Sequence, residues 1–410
     1  MVGFAVGGVA GGAATSGADA PDAPVCSVTE WTTYSDGYSS RAIAATIGAD
    51  AFYGLARPAT GQGVDVAVVD TGVNDVAGTN LVQGPDFSGT GSAAAAADTF
   101  GHGTHMASII ASRSAVYPGI APDARIVSLK VGGYDGRADD DQVIAALDWA
   151  TAHHSVDGFN IRVVNLAYGS PSDSGALSAA VQRAWDAGIV VVTAAGNDGG
   201  AITAPGSNPN VITVGAVETQ GTLATADDSV PDYSAGGTDR APDVVAPGQH
   251  VPGVRTPGSF VDKGVHDHLV RVAREHDVAI ATLGPDDDVY DWATNEVIPA
   301  LRAACVDEPS PYLSRTHVKG TGTSEATAVV SGAVALMLSA NPALTPAQVK
   351  AVLTESAVPV AGDATRVGAG EIDLSGAQDA APVVGASSVS TSAPTSQSAV
   401  ASDPGWRGNY

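Results

Sequence analysis

The chain has 410 residues, 44% of them hydrophobic and 15% charged, which suits a globular fold and excludes a disordered or fibrous one. That length holds one large α/β domain or two to three smaller ones, at about 100–200 residues per domain. The net charge of −25, with a pI near 4.4, repels nucleic acid and anionic membrane. Neither is an expected partner, and no stretch approaches the roughly 20 apolar residues of a spanning helix.

Residues 1–40 read as an export segment followed by an irregular arm, rich in Gly, Ala, Ser and Asp. The start, Met1–Ala20, has a weakly apolar run and a small-residue end like a signal peptide but lacks a basic start. An extracellular location is the expectation, with the acidic surface serving solubility, although such charge is also common in salt-adapted proteins. Cys26 and Cys305 are the only cysteines. They form a disulfide or stay as two buried thiols, and the spacing does not choose.

From Gly61 onward, short apolar runs rich in β-branched residues alternate with helical patterns. The runs Val64–Val69, Ala124–Val131, Ile161–Ala167, Ile189–Ala194 and Val211–Val217 suit strands buried on both faces of a parallel sheet. Helices are expected over His102–Ser112, Asp139–His153 and Ser174–Asp186. This alternation implies an α/β fold: a three-layer, doubly wound, mostly parallel sheet with helices on both faces. Functional residues then belong at the carboxyl ends of the strands.

Three segments carry chemistry. VVDTGV (Val68–Val73) ends an apolar strand with Asp70, which alone reads as a strand-terminating turn residue. GHGTHMA (Gly101–Ala107) sets His102 between two glycines at a helix start. His105 nearby raises a metal option that the missing HExxH pattern does not support. GTGTSEATAVVSG (Gly320–Gly332) places Ser324 before a helix of small residues, where a serine is ordinarily a cap. A serine hydroxyl is a poor nucleophile near neutral pH unless a histidine takes its proton and a carboxylate orients that histidine. Asp70, His102 and Ser324 supply those three groups in that order.

These segments resemble the signature motifs of the subtilisin-like serine protease family, over roughly Arg41 to Gly376. The resemblance implies a secreted serine endopeptidase that forms an acyl-enzyme on Ser324. It also implies an oxyanion hole made of the Asn197 side chain, from VTAAGNDG (Val192–Gly199), and the Ser324 backbone N–H. Without the resemblance, Asn197 reads as part of an Asn-Asp-Gly turn. The substrate would pair with edges at Gly132, Gly133, Tyr134, Asp135 and Gly136 and at Ala167, Tyr168 and Gly169. Ala194, Ala195 and Gly196 would help shape the pocket before the scissile bond. Polypeptide substrates and a monomer follow, with no cofactor required for catalysis.

The chain departs from the family in three places. Glu325 follows Ser324 where an apolar residue is usual; pointing outward it changes nothing, and pointing toward His102 it raises the imidazole pKa. Asn74–Leu81 and Arg113–Gly119 look altered and shortened, so the main family calcium site is expected to be absent. An insertion of about 266–311 precedes the nucleophile. It reads as a helix (Asp267–Asp277), a strand (Val278–Leu283) and an amphipathic helix interrupted near Pro299, with Val289, Trp292, Val297, Leu301 and Cys305 on its apolar stripe. It is either a packed decoration or a wall on the leaving-group side of the cleft. The catalytic domain is taken as 41–378 and the Ala/Ser/Thr-rich remainder, 379–410, as a flexible tail. Asp139, Asp140 and Asp141 read as a solvated helix start, or as an acidic feature favouring basic substrate residues. The rival functional reading is a catalytically silent binding or cell-surface scaffold protein.

Overall fold

A computed structural model describes residues 37–75, 78–90, 97–171, 175–237, 239–285, 287–306 and 310–377. The expected export segment and tail, and Cys26, lie outside the described residues.

Among the described residues seven strands form the main sheet: β1 (Asp65–Asp70), β2 (Asn80–Asp86), β3 (Arg125–Lys130), β4 (Ile161–Leu166), β5 (Val190–Ala194), β6 (Ile212–Val217) and β7 (Val244–Pro247). They lie in the order β2-β3-β1-β4-β5-β6-β7, with every neighbouring pair parallel. The five apolar runs of the sequence are five of these strands. β2 and β7 escaped the sequence reading. β2 is a partly exposed edge strand containing Gly84 and Pro85, so it carries no apolar run. β7 is only four residues long and ends on Pro247.

Alternation along β1 divides the core. Val66 and Val68 face one layer, with Met106, Ile110, Val329, Val334 and Leu353. Ala67 and Val69 face the other, with Leu147, Leu166, Leu177 and Val181. The first layer is built by α1 (Ser40–Thr46), α2 (Asp50–Tyr53), α3 (His102–Ala111), the long α9 (Thr323–Ala340) and α10 (Pro346–Ser356); the second by α4 (Asp140–His153) and α5 (Ala176–Asp186). All residues of α9 from Thr323 to Leu338 are buried. Its small side chains permit that depth: a Cβ on Gly332 would lie 2.6 Å from the Ile120 Cβ. Among the described residues α9 is the one helix long and apolar enough to cross a membrane, and it is 83% buried inside the fold.

The insertion differs from its sequence reading. Its first helix, α6 (Phe260–Glu275), starts seven residues earlier than expected, capped by the Ser259 hydroxyl. No strand forms over 278–283. Val278, Ile280 and Leu283 instead pack as extended chain on the insertion core, and the Trp292 indole donates to the Ala281 carbonyl at 2.7 Å. The amphipathic piece is α7 (Val289–Trp292), a π-helical turn over Ala293–Val297, then α8 (Ile298–Ala303). The wide turn falls just before Pro299, whose missing N–H cannot serve the carbonyl of the preceding turn. Val289, Trp292, Val297 and Leu301 are buried as the stripe requires. Cys305 is not: it lies beyond the helix, exposed, at φ 57°, and is disulfide-bonded. An antiparallel sheet of β8 (Val251–Val254), β10 (His317–Gly320) and β9 (Tyr312–Ser314) leads from the insertion into α9.

Candidate active site

Asp70 ends β1, fully buried, and its Oδ1 accepts the Thr71 N–H at 2.7 Å. His102 opens α3. Gly101, at φ 107°, makes the left-handed turn into the helix. Gly103 lets the helix approach: a Cβ there would lie 2.1 Å from the Gly72 carbonyl oxygen. His102 Nδ1 therefore reaches both Asp70 oxygens, at 2.8 and 2.9 Å. A carboxylate only accepts, so Nδ1 carries the hydrogen and Nε2 faces away from Asp70. Burial, the largest influence on His102, disfavours the imidazolium. The charge and hydrogen bond of Asp70 outweigh it, Glu325 and Asp98 add, and the pKa is pushed up to about 9.

Ser324 lies in the first turn of α9. It is not the cap; Gly322 holds that position, without a side-chain bond. Thr323 ties this turn to the end of β5: its N–H and its hydroxyl donate to Asn197 Oδ1 at 2.8 and 3.0 Å. The Gly196 N–H in turn donates to the Thr323 hydroxyl at 3.2 Å. Those bonds fix the flip of the Asn197 amide and leave Nδ2 as its outward, donating end. Among the described residues no hydrogen bond joins the Ser324 hydroxyl to His102.

Glu325 points inward. It is buried and lines, with His102, His105 and Gly320, a cavity of about 40 Å³ whose far wall is Val261, Asp262 and Val265 of the insertion. Its Oε1 lies 3.8 Å from His105 Nε2, which has no hydrogen-bond partner among the described residues. Burial pushes the Glu325 carboxyl up to about 7, against the lowering effect of His102. Burial holds His105 down to about 3, with the charge of His102 adding.

Sequence reasoning missed Asp98. Its carboxylate accepts from the Thr71 hydroxyl at 2.9 Å, from the N–H groups of Phe100 and Gly101 at 3.1 and 2.6 Å, and from that of Thr104 at 2.8 Å. It thus shapes the turn that delivers His102. The available signal was an acid four residues before the histidine, in a turn-forming Asp-Thr-Phe-Gly run.

The remaining expected residues gather at the same end of the sheet. Gly132 follows β3 and donates to the Asp70 carbonyl, and a turn at Tyr134–Asp135 closes through the bond from Gly136 N–H to the Gly133 carbonyl. Tyr134 is exposed. Ala167 and Tyr168 follow β4, but Tyr168 is buried, its hydroxyl donated to Asp140 at 2.6 Å. It offers a bound chain its backbone rather than its ring, and it occupies an acid of the Asp139–Asp141 run. Gly169 lies against Thr203. Ala194 and Ala195 are buried, and Gly196 is half-buried. Among the described residues no three His, Cys, Asp or Glu side chains converge to hold a metal. Asn74 serves the histidine loop, its amide bonded to the backbone of Asp98 in both directions.

A parallel α/β sheet with a buried histidine–carboxylate pair beside a helix-borne serine defines a hydrolase-type scaffold. The comparisons place it: residues 61–370 match the Subtilase family, to which the chain belongs. It is 29% identical over 320 residues to serine protease AprX of Bacillus subtilis, covering 72% of this chain and 61% of that one. It is 37% identical over 198 residues to subtilisin BL of Lederbergia lenta, covering 48% and 67% respectively. Among solved structures it is similar to a cold-adapted subtilisin-like serine proteinase, with TM-score 0.52, 25% identity and coverage of 75% of this chain and 88% of that one. The fold is thus subtilisin-like.

Proposed function

We propose that the chain is a serine endopeptidase whose nucleophile is Ser324. The observation that carries this reading is the His102–Asp70 pair, held at 2.8 Å on a buried carboxylate, with Nε2 turned away from Asp70. His102 takes the Ser324 hydroxyl proton as Oγ attacks the scissile carbonyl. Asp70 steadies the imidazolium. Asn197 Nδ2 and the Ser324 N–H stabilise the oxyanion, and His102 returns the proton to the leaving amine. Water then releases the acyl group by the same route in reverse. The hydrogen bond from Ser324 to His102 forms as substrate seats, since such bonds commonly tighten only in the complex. None of these steps requires a cofactor, and the reading includes action outside the cell, where the acidic surface serves solubility.

Intact mass after treatment with a fluorophosphonate, followed by peptide mapping, tests this. One adduct on Ser324, absent from Ser324→Ala, is the expected result. A folded protein that takes no adduct would move the binding-scaffold reading to the front.

A further inference from the structure

The backbone of the turn that delivers His102 is held by two separate parts of the molecule. The Asp98 carboxylate accepts its N–H groups, from Phe100, Gly101 and Thr104. Its carbonyls are taken by the insertion: the Phe260 N–H donates to the Thr99 carbonyl and the Val261 N–H to the Phe100 carbonyl, both at 3.0 Å. These donors belong to the first two residues of α6, whose N–H groups have no acceptor within the helix. The helix start and the turn thus satisfy each other's backbone.

Side chains reinforce the join. The buried Ser259 hydroxyl accepts the Asp262 N–H at 3.2 Å and sits on Gly101, where a Cβ would lie 2.7 Å from it. The Phe260 ring stacks on Phe100, with centroids 5.4 Å apart and planes 16° apart. The start of α6 is itself anchored: Asp262 is buried on Arg255 and accepts the Gly258 N–H at 2.9 Å. Val261, Asp262 and Val265 then form the far wall of the cavity that His102, His105 and Glu325 line. Gly101, at φ 107°, gives the turn its shape but no stiffness of its own. Stiffness has to come from the bonds around it, and His102 is the next residue. A general base misplaced by 1 Å loses about 100-fold in rate.

We propose that the insertion is a positioning element for the active site: Ser259, Phe260 and Val261 at the start of α6 hold the turn before His102, and the placement of its imidazole between Asp70 and Ser324 depends on them. This rests on the protease reading above. The three are positioning residues; they touch no reacting atom and act through the backbone of the turn. The insertion then has a role besides decoration or wall.

The test compares two substitutions at Phe260 in the full chain. Phe260→Ala removes the ring and keeps the N–H; Phe260→Pro removes both. Phe260 is the first residue of α6, where proline suits a helix, and Ser259 before it is already extended, at φ −65° and ψ 170°. The pair therefore isolates the bond to Thr99. Peptide cleavage is measured per active site, counted by fluorophosphonate labelling to completion. The kcat of Phe260→Pro is expected to be about tenfold below that of Phe260→Ala, with KM within about twofold. Proton NMR is expected to show the downfield His102 Nδ1–H, shared with Asp70, shifted or broadened in Phe260→Pro relative to Phe260→Ala. Equal kcat in the two variants, or a fall in kcat with that signal unchanged, overturns the proposal. Should Phe260→Pro not fold, Ser259→Ala removes the cap of α6 and Ser259→Thr restores it. A severalfold loss of kcat in the first, regained in the second, is then expected, and parental kcat in Ser259→Ala overturns the proposal. A parent that cleaves and takes label beside such unaffected variants refutes the positioning role alone. A full chain that neither cleaves nor takes label overturns the protease reading, and the positioning role with it.

Discussion

Three carboxyl groups act on His102: Asp70 at the end of β1, Glu325 in the first turn of α9 and, least of the three, Asp98 in the loop before α3. With its pKa near 9, the free imidazole is mostly protonated at neutral pH and cannot take the serine proton. Activity should therefore climb through the alkaline range. Glu325, at about 7, is already ionised where His102 titrates, so its charge favours the imidazolium there. Removing that charge makes the imidazolium less favourable and the histidine pKa lower. For Glu325→Gln the acid limb of kcat/KM against pH is expected to move toward lower pH, with a severalfold gain at pH 7. Superimposable profiles would show that Glu325 does not act on His102. At this scale the sequence was legible where glycines constrain a reactive side chain, as around His102. It was silent where burial decides: which way Glu325 turns depends on room made by Gly320, where a Cβ would sit 2.3 Å from Glu325 Oε1. Asp98 left a local signal, since its carboxylate accepts from Phe100, Gly101 and Thr104, but its bond from Thr71, which joins the histidine loop to the end of β1, appears only in the fold.

Among the elements, the insertion shows how a charged pair can organise a small core. Arg255 and Asp262 are both buried and joined through two nitrogens at 2.6 and 2.8 Å, with Asp288 a second partner for the guanidinium. The Tyr312 hydroxyl donates to Asp262 at 3.2 Å, and Arg255 lies 5.3 Å from the Tyr312 ring. Removing one partner leaves a buried charge unmatched, which ordinarily costs about 3–5 kcal/mol. Arg255→Ala is expected to lower Tm and to quicken proteolytic nicking within 276–288, and Arg255→Met with Asp262→Leu to recover much of the loss. A single variant that melts and resists protease like the parent would mean the pair is incidental. Elements with strong apolar runs were readable in advance, while the segment 278–283 was not. Its residues alternate like a strand, yet among the described residues it pairs with no strand, and pairing decides strand formation more than composition does.

Across the whole molecule, two different electrostatic costs act on stability. The net charge of −25 makes the surface repel itself, and added salt relieves that repulsion within a Debye length of about 10 Å at 0.1 M. The other cost is internal. Asp228, before β7, and Glu371, whose backbone pairs with Val358, are buried at 2% and 0% exposure. No donor reaches any of their four carboxyl oxygens among the described residues, so a proton held between them is what satisfies both. Burial, then the hydrogen bond and charge of Asp228, push Glu371 up to about 10. A folded-state pKa above the unfolded value gives stability that is complete below about pH 4.5 and lost as pH rises toward 10. Nothing in the sequence marks this pair, because its members are 143 positions apart (371 − 228) and each alone reads as an ordinary surface acid. Glu371→Gln supplies a donor at every pH. Its Tm is expected to fall less than that of the parent between pH 5 and pH 9.5, and the difference should persist in 1 M NaCl, where the surface contribution is screened. Parallel curves for the two proteins would remove the buried pair as a cause, and a difference that vanished in high salt would assign the alkaline loss to the surface.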